Sequence, residues 1–120
     1  MAGTWQSVDG SAFEYWSIVK SGMRGLSLTL KDSSLRPSVQ EKMEIYRKEG
    51  DLVFFAEPLN QRKTEFVIAE SNASFFRAEN PDHDFPKWII YEVNRGGDSM
   101  FARIGDANRS VNFVFIKSKR

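Results

Sequence analysis

Residues 38–48 read Ser38-Val39-Gln40-Glu41-Lys42-Met43-Glu44-Ile45-Tyr46-Arg47-Lys48. Their glutamate and lysine content suits a helix. Their order does not: Val39, Glu41, Met43 and Ile45 alternate with Gln40, Lys42, Glu44 and Tyr46, the period of a strand with one buried face. We read a strand. With that choice no segment of the chain carries a helix-length amphipathic repeat or a convincing helix cap, and the protein is expected to be all-β. Turn chemistry recurs on both sides at short, even spacing: Asp9-Gly10-Ser11, Ser21-Gly22, Asp32-Ser33-Ser34, Glu49-Gly50-Asp51, Pro58 to Asn60, Ser71-Asn72, Asn80 to Pro86, Gly96-Gly97-Asp98 and Gly105-Asp106. Gly, Asn and Asp supply the backbone conformations that hairpin turns need. Between these turns lie ten candidate strands, at about 3–8, 12–19, 23–31, 38–47, 51–57, 62–70, 73–79, 87–94, 98–104 and 109–117. A meander of that length does best to close on itself, because closure removes exposed strand edges. The expected architecture is an antiparallel up-and-down barrel of eight to ten strands, one domain over residues 1–120.

Bulk properties narrow the chemistry. The net charge of +1 leaves no cation excess to neutralise phosphates, which argues against a nucleic-acid partner. Lys117-Ser118-Lys119-Arg120 reads as a solvated strand end. The chain has no cysteine, so disulfides, thiolate metal sites and thiol nucleophiles are excluded, and a single histidine makes a zinc site unattainable by the usual ligand sets. Neither a Walker A run, nor G-x-G-x-x-G, nor a G-x-S-x-G elbow is present. No metal and no cofactor is expected. No apolar stretch approaches a membrane span, so no membrane partner is expected either. As it stands the chain reads as cytoplasmic, or as periplasmic or exported if a leader was removed.

Alternation sorts residues onto faces. Ala12, Glu14, Trp16 and Ile18 share one face, as do Met23, Gly25, Ser27 and Thr29, opposite Arg24, Leu26, Leu28 and Leu30. Glu14 and Glu41 therefore ride with apolar or small neighbours, and stand either in the lumen or on the outer surface. Inside, buried carboxylates require partners; Arg103, alternating with Phe101, and Tyr91, alternating with Ile89 and Val93, are the candidates. Gly25 and Ser27 either leave room for a ligand or mark a bend. Val53-Phe54-Phe55-Ala56, Trp88-Ile89-Ile90-Tyr91 and Phe113-Val114-Phe115-Ile116 are apolar on both faces, which suggests a covering loop or a homodimer interface.

One run breaks the alternation: Glu79-Asn80-Pro81-Asp82-His83-Asp84-Phe85-Pro86, with the only histidine and two of the four prolines. Flanking carboxylates would favour charged His83, fit for acid–base work. The structural alternative has Asp82 and Asp84 capping a turn that His83 pins through the backbone, between prolines that fix φ. Phe85 and Trp88 suit a plug at one mouth. Trp5 suits either a core position or closure of the base beneath a cation from Lys117 or Lys119.

These residues carry a resemblance. Gly3-Thr4-Trp5, Glu14-Tyr15-Trp16, Gly22-Met23-Arg24-Gly25, Glu41 with Met43 and Ile45, and above all the run from Glu79 to Pro86 followed by Ile89-Ile90-Tyr91 resemble an uncharacterised bacterial domain family with a calycin-like, lipocalin-related β-barrel. The likeness spans Gly3 to about Lys117, and the ENP-x-HDFP stretch is its specific part. It implies a barrel of eight to ten strands, often in exported proteins, and no established activity. The chain departs from the family pattern at Tyr15, where relatives usually carry His, and at Leu28, where a basic residue is common.

Three functions follow as expectations. The leading one is a barrel that binds a small apolar or amphipathic molecule, with Glu14, Trp16, Met23, Glu41, Met43, Tyr91 and Arg103 around the ligand and Trp5, Asn80, Asp82, His83, Asp84, Phe85 and Trp88 as structural elements. The second is an enzyme using His83 with Glu14 or Glu41 as acid and base. The third is a dimeric structural or interaction module without ligand.

Overall fold

The structure is a computed structural model that describes residues 1–20, 22–31 and 36–118, with backbone alone for 30, 31 and 36–39. The expected turn at Asp32 to Ser34 and the candidate cation Lys119 lie outside the described residues. Ten strands follow one another: β1 (Gly3–Ser7), β2 (Ala12–Val19), β3 (Gly22–Lys31), β4 (Arg36–Lys48), β5 (Asp51–Pro58), β6 (Thr64–Asn72), β7 (Phe75–Glu79), β8 (Trp88–Val93), β9 (Ser99–Gly105) and β10 (Ser110–Lys117). Each pairs antiparallel with its neighbour in sequence, and β1 pairs with β10, so the sheet closes into an up-and-down barrel consistent with a calycin-like one. The segment whose composition suits a helix is strand β4.

Register fixes which side chains face inward. Gly3 stands opposite Trp16, Trp5 opposite Glu14, Glu14 opposite Ser27, and Ser27 opposite Glu41. Between Ser27 and Leu28 the register with β4 shifts, and Gln40 is the additional residue: Glu41 pairs with Ser27 and Val39 with Leu28. The alternation read along 39–45 is thus interrupted by a bulge next to Glu41.

The barrel is packed at one end and open at the other. Trp5, Trp16, Met43, Phe54, Phe66, Phe76, Tyr91, Met100 and Phe115 form the buried core. Trp5 is 1% exposed, its indole Nε1 donates to the Met1 carbonyl at 2.8 Å, and the Lys117 ammonium lies 5.8 Å from its ring. It is both a core residue and part of the closed base. The opposite end is ringed by the β1–β2, β5–β6, β7–β8 and β9–β10 connections.

Gly25 makes no room for a ligand. Its neighbour across the strand pair is Trp16, and a β-carbon at Gly25 would sit 2.9 Å from three atoms of that indole. The glycine is needed so that the ring can lie flat against β3. Gly25→Ala is expected to cost about 2 kcal/mol through overpacking, read as a lowered urea midpoint with unchanged slope; an unaltered midpoint would contradict the packing.

Candidate functional site

Above the packed base lies a cavity of about 410 Å³. Its lower wall is Phe54, Phe66, Ile89, Tyr91, Ala102 and Phe115, with Glu14 from β2 and Glu41 from β4. Gln61, Arg62, Thr64, His83, Phe85, Pro86, Ile104 and Phe113 surround its upper part. Neighbouring inward positions on β10 show where packing ends: Phe115, opposite Met100, is 4% exposed, and Phe113, opposite Ala102, is 43% exposed.

Glu14 is the buried acid of this site, at 7% exposure. Strand β2 turns it inward between Trp5 of β1 and Ser27 of β3. Trp16 Nε1 donates to Oε1 at 3.0 Å, and the Tyr91 hydroxyl reaches both carboxyl oxygens at 3.1 Å. Burial pushes the Glu14 carboxyl up to about 7; the Trp16 and Tyr91 bonds oppose that shift, and nearby Glu41 adds to it. Burial likewise raises Glu41 above the usual carboxylate range. Glu41 has no hydrogen-bond or salt-bridge partner among the described residues. Tyr91 is held well above its ordinary range by burial, then by Glu14 and Glu41, so it stays a donor.

The run from Glu79 to Pro86 forms part of the mouth. Asn80 organises it: its backbone N–H donates to the Lys87 carbonyl at 2.8 Å, its side-chain amide to the Glu65 carbonyl at 2.9 Å, and its Oδ1 accepts from the Asp82 N–H at 3.1 Å. His83 Nδ1 lies 2.9 Å from the Pro86 carbonyl, which can only accept, so Nδ1 carries the proton. Nε2 faces the Thr64 hydroxyl at 3.4 Å, and the ring meets Phe66 edge-on at 5.7 Å. The Lys87 ammonium donates to the Pro81 carbonyl at 3.0 Å and also to that of His83. The Arg109 guanidinium sits 3.9 Å above the Phe85 ring.

Of the residues expected around a ligand, Glu14, Glu41 and Tyr91 line the cavity. Trp16 and Met43 are buried in the core beneath it, and Met23 packs against that core. Arg103 is a correction. It is exposed on the outer face, its Nε donating to Asn112 at 2.8 Å, because Ala102 and Ile104 take the inward positions of β9. The partners of Glu14 are therefore Tyr91 and Trp16. Trp88 is a second correction: it packs over Gly105, where a β-carbon would meet its ring at 2.4 Å, and it does not line the cavity. Phe85 does, together with Pro86. A third concerns the turn, which Asn80 caps; Asp82 and Asp84 are exposed.

Sequence reasoning passed over Gln61, Arg62, Thr64, Ile104 and Phe113. Ile104 and Phe113 share the inward alternation of Ala102 and Phe115, a signal that was present. Gln61 and Arg62 belong to a connection whose path no periodicity encodes. The two-sided strands are partly covered: Val53 is buried, and Phe55 packs against Tyr46 and beneath Lys63. Phe101, Val114 and Ile116 are exposed on the outer face of β9 and β10. Among the described residues there is no cluster of three or more His, Asp or Glu able to hold a metal ion, and no helix long and apolar enough to cross a membrane. Comparison with protein-family models, curated proteins and solved structures finds no match to this chain.

Proposed function

We propose that this protein binds a small apolar or amphipathic molecule in the hollow of its barrel. The observation that carries the reading is the unfilled upper lumen, with inward-facing Phe113 left 43% exposed. Its volume falls within the range of small-molecule sites and corresponds to roughly a dozen water volumes. An apolar wall with a few convergent polar groups, here Glu14, Tyr91 and Glu41, is the usual composition of such a site. Kinship with calycin-like barrels is part of the same proposal and rests on the closed ten-strand meander and the run at its mouth. An acid–base role for His83 finds less support, because its Nδ1 is committed to the Pro86 carbonyl.

Calorimetric titration with tryptophol, a neutral amphipathic indole, tests the proposal. Wild-type protein is expected to bind with a Kd on the order of 10–100 μM. Ala102→Phe, which places a ring in the lumen, should weaken binding at least about tenfold while the protein stays folded. Equal affinity in the two proteins would put the ligand elsewhere and overturn the reading.

A further inference from the structure

We infer that the guest of this cavity is a cation, a hydrophobic primary amine whose ammonium group is taken up by Glu41 and Glu14 and whose apolar body lies against the aromatic wall. The inference rests on the cavity reading above and deepens it. It starts from an asymmetry in the lining. Glu14 and Glu41 reach the lumen from β2 and β4, on either side of Ser27 of β3. Among the described residues the lining contains one cationic side chain, Arg62, which is exposed at the mouth. Lys117 is at the closed base, over Trp5.

Donor and acceptor capacity points the same way. A carboxylate accepts about four hydrogen bonds. Glu14 receives those of Trp16 and Tyr91, and Glu41 receives none from the described residues. An ammonium group brings three donors, which Glu41 lacks, and one positive charge to two carboxyls that have no cation partner among the described residues. An anionic guest would meet two carboxyls instead. A neutral apolar guest would leave Glu41 desolvated without a partner, which is costly. Phe54, Phe66, Phe115 and Tyr91 present ring surfaces beside the same space, and such surfaces attract cations.

Protonation governs the charge of the two carboxyls. Among the described residues, the groups facing Glu14 are Trp5 from β1, Trp16 on its own strand, Ser27 from β3, Glu41 from β4 and Tyr91 from β8; none is cationic. Without a guest, the raised affinity of both carboxyls for protons limits the buried charge. An arriving ammonium favours the carboxylate form, so binding releases a proton to solvent and strengthens as pH rises toward 8.

The test is calorimetry at pH 6.5 and pH 8 with three indoles of one shape: tryptamine, tryptophol and indole-3-acetate. Tryptamine is expected to bind at least about tenfold more tightly than tryptophol, a difference of about 1.4 kcal/mol, and indole-3-acetate more weakly than either. At pH 6.5 the tryptamine enthalpy should vary with the ionisation enthalpy of the buffer, reporting proton release. In Glu41→Gln the tryptamine-to-tryptophol ratio should fall to within about threefold; because this is a ratio within one protein, a change in folding does not mimic it. Tryptophol binding as tightly as tryptamine would overturn the inference and leave the cavity reading standing. A tryptamine preference that survives Glu41→Gln with no proton release would also overturn it. Failure of all three indoles to bind would remove both readings.

Discussion

Phe54→Ala is expected to lower the unfolding free energy by about 4 kcal/mol, and with it the melting temperature by about 15 °C for a domain of this size. Phe54 is 1% exposed. Its ring centroid lies 5.4 Å from Phe76, 6.1 Å from Tyr91, 6.3 Å from Phe66 and 6.5 Å from Trp16. Four rings from four other strands thus meet on one side chain. Truncation removes the transfer free energy of the phenyl group and leaves its neighbours without contacts. They cannot collapse inward, because the closed sheet fixes their strands. Val67→Ala provides the comparison: Val67 is half-exposed on the outer face of β6, and its truncation should stay within about 0.5 kcal/mol. A Phe54→Ala cost no larger than that of Val67→Ala would mean that the ring cluster does not hold the barrel together.

The second large effect is a pH dependence whose sign follows from Glu14. In the unfolded chain its carboxyl titrates near its ordinary value of 4.5, and in the fold burial pushes it up to about 7. Below 4.5 both states carry the proton and the group costs nothing. Between 4.5 and 7 the folded state holds a proton that the unfolded chain has lost, so stability falls as pH rises. Above 7 both are ionised and the loss is complete, at about 3 kcal/mol from Glu14. Glu41 shifts the same way. Asp9, Glu65 and Asp106 shift downward, so their contribution is lost only at lower pH, as each falls through its depressed value. Urea unfolding at pH 4.5 and pH 8 should therefore show Glu14→Gln gaining about 3 kcal/mol on wild type across the window. The neutral amide also retains an oxygen to accept the Trp16 N–H. If the two proteins keep a constant difference, the buried-acid account of Glu14 is wrong.

Much of the barrel is legible in local pattern. Evenly spaced turns punctuate ten strands, and alternation places Glu14 with Trp16 and Ser27 with Gly25 on shared faces, as the register bears out. It does not say which face is inward. Arg103 and Tyr91 both stand in alternating strands, and only closure of the sheet puts Tyr91 inside and Arg103 out. Nor does it reveal contacts across the barrel: Glu14 and Tyr91 are 77 positions apart. Gly25 carries two meanings in sequence, space or close approach, and it takes a cross-strand tryptophan to decide between them. The mouth was least legible, because Gln61, Arg62, Thr64 and His83 are brought together by connections rather than by a repeating pattern.

The most direct test of a guest-receiving hollow is a methyl NMR titration with tryptophol. The methyl groups of Ala56, Ile89, Ala102 and Ile104 line the cavity, whereas Val67 and Ile116 face outward. The account predicts that the first four signals shift in a saturable way and show close contacts to the indole while Val67 and Ile116 stay fixed. Shifts confined to the outer pair, or no shift at the four cavity methyls, would contradict it.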